Sequence, residues 1–251
     1  SGSFTFSELF DNKNDWFGKF RASYAKVGKD APIYATYTSL LPYLGVGGGY
    51  QNNATGGNIN LVAETTIENE YGVELRLFRN RLNIEAAYYD KESHDQIVTA
   101  RVPLPTGFVI QTFNVGKLRN RGLELCLTGS PIKTKDFTWE ASLNFTRNRN
   151  KVVRIREGLT EIVVGSHFGY SGSTVTMKYV PGSAVGNIYG STYLRYYGSK
   201  TDDLVTVDHS LPLVIAGTGT NRGFPVRDGT QRILGNSQPD WIGGLSNTFI
   251  Y

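Results

Sequence analysis

The sequence predicts an all-β protein: an antiparallel transmembrane β-barrel segment of about eight long strands. Three observations predict it. Apolar and polar residues alternate with a period of two in runs of more than about ten residues, above the five or six usual in globular sheets. Connections between the runs alternate short and long, so tight turns collect at one end of the sheet and long loops at the other. Trp16, Phe17, Phe78, Phe137, Trp139 and Trp241 stand at strand ends beside the short turns, where an interfacial girdle places aromatic rings.

Each element follows from its own residues. SFTFSEL alternates, DNKND turns, and WFGKFRASYAKV returns with Phe20, Ala22 and Tyr24 opposed to Lys19, Arg21 and Ser23. Residues 28–63 carry GVGGGY and QNNATGGN, too glycine-rich for a helix, and are expected to be a long loop. TTIENEYGVELRLF puts Ile67, Tyr71, Val73, Leu75 and Leu77 opposite a wet face of Glu68, Glu70, Glu74 and Arg76. RNR turns the chain into LNIEAAYYDKE, with Leu82, Ile84, Ala86 and Tyr88 on one face. A second long loop contains VPLPTG.

The next hairpin aligns Leu123, Leu125 and Leu127 with Phe137, Trp139, Ala141, Leu143 and Phe145. Gly129, Ser130 and Pro131 are expected to open its turn, which runs to Asp136. A loop spans about 150–183, VGNIYGSTYLRYY is expected to be a further strand, and PDWIGGLSNTFIY closes the set. The last connection, about 198–238, departs from the alternation, because a long segment falls where a short turn is due.

Composition narrows the function. The 251 residues include 29 Gly, 15 Tyr and 13 Phe but one Cys and one Met, and charged residues make up 19%, below the usual quarter. Cys126 alone excludes an internal disulfide and a cysteine metal cluster. His94, His167 and His209 lie far apart, so neither a metal nor any other cofactor is expected. A net charge of +4 without a basic stripe carrying interleaved aromatics argues against nucleic acid. There is no apolar run of the roughly 18 residues a membrane helix needs, a test that strands escape.

Two other readings use the same residues. A soluble secreted carbohydrate-binding β-sandwich would also alternate, but it predicts a core and water on the two faces and no continuous apolar band. A β-built glycoside hydrolase needs two carboxylates about 5–10 Å apart, for which Glu68 with Glu70 or Glu124 with Glu140 are the candidates. Acids on the wet faces of strands are more often salt-bridged residues of a barrel interior, and no enzyme activity is expected.

Five blocks in order carry a family resemblance: WFGKFRASYAKVG, ENEYGVELRLFRNRLNIEAAYYDKESHDQIV, FNVGKLRNRGLELCLTGSPIKTKDFTWEASLNFTRNRNKV, VGNIYGSTYLR and ILGNSQPDWIGGLSNTFIY. The chain resembles the barrel of SusC/RagA-type TonB-dependent outer-membrane transporters. The resemblance implies a roughly twenty-two-stranded barrel, closed by a plug and capped by a SusD-like surface lipoprotein in the bacterial outer membrane. Import of an oligosaccharide or peptide would be driven by TonB. Residues 1–251 are then expected to be one partial barrel domain, with the plug, the TonB box in the amino-terminal region and the last strands outside it. No signal peptide is visible from Ser1, so it is expected to have been removed or the chain not to be the start of its gene product. Where relatives carry an Asp-rich segment, Asp202, Asp203, Asp208 and Asp228 are scattered here, which argues for solvated turn acids over a calcium site.

Two candidate sites follow. Substrate contact would fall on loop aromatics, Tyr34, Tyr37, Tyr43 and Tyr50 in the first loop, Phe108 in the second, and Phe168 and Tyr170 in the third. With the 129–136 turn on the periplasmic side, the odd parity that faces lipid through the leucines continues outward as Lys117, Arg119 and Arg121, and as Arg147, Arg149 and Lys151. These six bases are expected at the outer interface, where they meet outer-membrane lipid phosphate or extend into water.

Overall fold

The computed structural model describes residues 1–10, 15–165, 175–196 and 207–251. In chain order its strands are β1 (Gly2–Phe4), β2 (Trp16–Lys29), β3 (Leu40–Pro42), β4 (Tyr50–Asn52), β5 (Thr55–Gly56), β6 (Glu64–Leu77), β7 (Leu82–His94), β8 (Ile97–Arg101) and β9 (Ile110–Asn114). They continue with β10 (Lys117–Lys133), β11 (Thr138–Arg154), β12 (Ile162–Gly165), β13 (Thr176–Tyr179), β14 (Asn187–Gly190), β15 (Arg232–Asn236) and β16 (Ile242–Ile250).

A seven-stranded antiparallel sheet, in the order β1-β2-β6-β7-β10-β11-β16, is the wall. Its registers place Leu75, Ile84, Leu127, Leu143 and Leu245 side by side, then Val73, Ala86, Leu125 and Phe145. This is one continuous apolar face, and among the described residues nothing covers it. Leu245 is 68% exposed, Tyr71 49% and Leu123 45%. The opposite face is polar and tied by Arg21–Glu70 at 3.5 Å, Lys91–Glu68 at 3.8 Å and Arg76–Glu74 at 2.6 Å. A soluble sandwich would bury the apolar face; here the buried apolar residues of the described chain lie elsewhere.

That core sits at the long-loop end. Val115, Leu118, Val152, Ile155, Ile162 and Ala100 are buried together, with Phe113 and Tyr179 packed against them. Burial raises the Tyr179 phenol above its ordinary value and keeps it neutral. The regions expected to be plain loops therefore hold structure of their own: a β3-β4 hairpin, a β5-β9-β8 sheet and a β12-β13-β14-β15 sheet.

Four expectations need correction. VGNIYGSTYLRYY does not cross the wall; its four-residue β14 belongs to the small outer sheet, and β11 pairs directly with β16. The wall has seven strands, in keeping with the expected number of about eight. The described residues between Arg154 and Ile242 lie at the long-loop end, which removes the apparent break in the short–long alternation. Its short alternating run and flanking glycines had the period of a wall strand but not the length.

The turn of the central hairpin is shorter than its glycine and proline suggest. β10 runs on to Lys133, and Gly129, Ser130 and Pro131 form a bulge that moves Ile132 opposite Trp139. The turn itself is closed by Thr134, whose amide donates to the Phe137 carbonyl at 2.8 Å and whose Oγ1 accepts from the Phe137 amide at 3.0 Å. Trp241 stands at the outer end, stacked on Phe145 at 6.1 Å, while Phe249 takes the place beside the short turns against Phe137 and Trp139.

Candidate functional site

The first two loops form one body. Strand β5 lies parallel to β9, with Thr55 beside Ile110. Around it, Asn58 Nδ2 donates to the Thr112 carbonyl at 2.9 Å, Gln111 Nε2 to the Gly57 carbonyl at 3.0 Å, and Asn114 Nδ2 to the Val62 carbonyl at 2.8 Å. The third connection is sewn to the wall, because the amides of Val152 and Gly182 donate to the carbonyls of Ser183 and Val152 at 2.9 and 2.8 Å. The Arg156 guanidinium, 5.7 Å from the Phe113 ring, joins the second loop to the third. A mostly apolar cavity of about 320 Å³ opens at that junction, lined by Val102, Pro103, Phe113, Leu159 and Ile162.

This body presents the candidate aromatics. Tyr34 and Tyr37 flank a tight turn closed by the Tyr37 amide on the Tyr34 carbonyl at 3.1 Å, and both rings are more than two-thirds exposed. The turn is held against Gly57, where a Cβ would lie 2.2 Å from the Tyr37 carbonyl carbon, so only glycine fits there. Tyr43 and Tyr50 are neighbours on the β3-β4 hairpin, whose Tyr43 amide donates to the Gly49 carbonyl at 2.8 Å. Phe108 is half-buried and lies over Gly56, so it packs the two loops together. Phe168 and Tyr170, like His167, Asp202 and Asp203, fall outside the described residues.

The six bases share the outward face, Arg147 level with Leu123 and the other five further outward. Arg119 is directly opposite Lys151, and Arg121 opposite Arg149. Counter-ions come from residues that the sequence reading did not single out. Asp90 accepts from Arg119 at 2.8 and 2.5 Å and from Arg121 Nε at 3.0 Å. Glu92 lies 2.6 Å from Lys117, and Asp240 bonds Arg149. Asp90 and Glu92 were legible, since they continue the parity of Ile84, Ala86 and Tyr88; Asp240 depends on the β11-β16 register, which no local pattern gives.

The structure places the candidate carboxylate pairs as follows. Glu68 and Glu70 are each paired with a base, and Glu124 and Glu140 fall at different levels, opposite Thr146 and Thr248. Asp228 is buried on Arg232 at 2.5 Å, and Asp208 accepts from the Ser210 amide at 3.0 Å. Among the described residues no group of three or more His, Cys, Asp or Glu side chains is gathered to hold a metal ion.

An uncovered apolar face backed by a polar one, with tight turns at one end and a structured cap at the other, defines a wall segment of a transmembrane β-barrel. The chain belongs to the TonB dependent receptor-like, beta-barrel family, whose model matches residues 4–232. It is 28% identical over 243 residues to TonB-dependent receptor P3 of Formosa agariphila, covering 93% of this chain and 24% of that protein. To TonB-dependent receptor SusC of Bacteroides thetaiotaomicron it is 29% identical over 198 residues, covering 77% of this chain and 19% of that one. Among solved structures, that of the RagAB peptide transporter superposes with a TM-score of 0.68 at 21% identity, over 99% of this chain and 27% of that one; this likeness concerns the fold. The chain thus spans about a quarter of the length of curated relatives that it matches over more than nine-tenths of its own length.

Proposed function

We propose that this chain is the wall and outer cap of an active importer in the bacterial outer membrane, taking up glycans or peptides. The observation that carries it is the division of the molecule. Among the described residues the apolar face has no cover, the polar face suits a water-filled or plugged interior, and every long connection gathers at one end with aromatics exposed on it. Family membership and the SusC and RagAB likenesses support the same reading. The chain needs no chemistry of its own. TonB, engaged through another part of such a receptor, supplies the energy by displacing the plug, and a SusD-like surface lipoprotein closes over the loops.

In this reading Tyr34, Tyr37, Tyr43 and Tyr50 meet the ligand, because ring faces stack on sugars and on peptide side chains while neighbouring polar groups orient them. The test uses the full-length receptor in cells of its own kind. Uptake of labelled oligosaccharides and oligopeptides is measured with the receptor present, deleted, and present after collapse of the proton gradient. Uptake of one ligand class that needs both receptor and gradient supports the proposal; gradient-independent entry, or none of either class, contradicts it. Tyr34→Ala with Tyr37→Ala is expected to raise the half-saturating ligand concentration roughly tenfold, about the loss of one or two ring stacks.

A further inference from the structure

Lys117, Arg119, Arg121, Arg147, Arg149 and Lys151 face outward, offset among the described residues by Asp90, Glu92 and Asp240. Six bases against three acids leave three positive charges in surplus. Directly opposed like charges destabilise a sheet, and here two such pairs are adjacent. Arg147 and Lys151, both exposed on the outward face of β11, have no acidic partner among the described residues. The arrangement is therefore short of anions on one particular face.

The depth of that face identifies the anion. From Leu82 to Tyr88, about 3.4 Å per residue gives about 20 Å along the strand, or about 16 Å of height at a tilt near 40°. The next outward level, with Asp90, Arg121 and Arg149, lies near 21 Å, and the one after, with Glu92, Arg119 and Lys151, near 26 Å. An apolar band of an outer-membrane barrel is about 25 Å tall. Arg147, at the Leu123 and Tyr88 level, lies about 9 Å below that edge, and the other bases lie within about 4 Å of it or above; the cluster therefore straddles the upper edge of the hydrocarbon, and side chains below the edge reach upward to the headgroups.

We infer that this face binds the phosphate of an outer-leaflet lipid headgroup, with Arg147 and Lys151 as its principal ligands and Arg119, Arg121 and Arg149 held in place by the intervening acids. The site rests on the membrane reading given above. Arg147 and Lys151 are four residues apart on one strand, with Arg149 between them, so their Cα atoms lie about 14 Å apart, a span that two long basic side chains can close on a phosphate through charge-assisted hydrogen bonds.

The test titrates the full-length receptor, folded in neutral detergent micelles, with lipid A as a phosphorylated lipid, following the rise in Tm. Wild type is expected to saturate, and Arg147→Glu with Lys151→Glu to need about tenfold more lipid. Lys135→Glu, the same charge reversal at the turn end, is expected to match wild type. If the double reversal does not fold, Arg147→Gln with Lys151→Gln reports the same loss more gently. Equal affinity in wild type and the double variant overturns the inference, as does an equal rise in Tm with inorganic phosphate alone. A receptor that folds in micelles yet ignores lipid A refutes this site only; one that is soluble without micelles refutes the membrane reading beneath it.

Discussion

Arginine placed at Leu125 tests the assignment of the two faces. Leu125 lies between Ala86 and Phe145 on the apolar face, two residues beyond the Leu127 level. Its height above the Leu82 level is about 10 Å, close to the middle of a 25 Å band. An arginine at the midplane of an outer-membrane barrel costs about 2–4 kcal/mol, a shift of roughly thirty- to a thousandfold in the folding equilibrium. At Leu82, on the lower edge of the band, the same change costs about 0–1 kcal/mol. At Cys126, one residue along but on the polar face, it should be close to neutral, because the site opens on Glu85 and Asn144.

The assay is reversible unfolding by guanidinium of the full-length receptor in lipid vesicles, comparing Leu125→Arg, Leu82→Arg and Cys126→Arg. The expected order of cost is Leu125 well above Leu82, with Cys126 lowest. Equal costs at Leu125 and Leu82 would remove the depth argument, and a larger cost at Cys126 than at Leu125 would exchange the two faces.

Two further outcomes follow from the outer cap and the ionic face. Val152 is fully buried at the centre of the cap core, so Val152→Ala should cost about 1.5–2.5 kcal/mol locally, read as faster hydrogen exchange of the Val115 amide, which donates to the Gln96 carbonyl at 2.7 Å; unchanged protection of that amide would refute a shared core. Asp90→Asn removes the carboxylate held by Arg119 and Arg121 and should cost about 1 kcal/mol, more at low than at high salt; a cost independent of salt would mean that packing, not charge, holds that level together.

Much of the wall was legible from period alone. A slip of one residue would turn every apolar side chain to the wrong face, so alternation fixes both strand and face, and the β2, β6, β7, β10 and β11 runs all follow it. Local signals failed where the register decided. GSP has the chemistry of a turn, yet the longer β10-β11 pairing absorbs it as a bulge. VGNIYGSTYLRYY alternates, yet its partners are two short outer strands. The cap core was hidden because Val115, Ile155 and Ile162 come from two separate connections and meet Leu118 and Val152 at the outer ends of β10 and β11. For the sites, exposed loop tyrosines were readable from glycine-rich surroundings, whereas the neutralising role of Asp240 required knowing that β16 lies against β11.

The central claim, that the loops and the turns lie on opposite sides of an outer membrane, is tested most directly by labelling in whole cells. Full-length receptor with Cys126 and every other native cysteine replaced by serine carries a single new cysteine, at Tyr43 in the first loop or at Lys135 in the central turn, and is exposed to a maleimide that cannot cross the membrane. The account predicts rapid labelling at position 43 in intact cells and labelling at position 135 only after the outer membrane is permeabilised. Equal labelling of both positions in intact cells would contradict it.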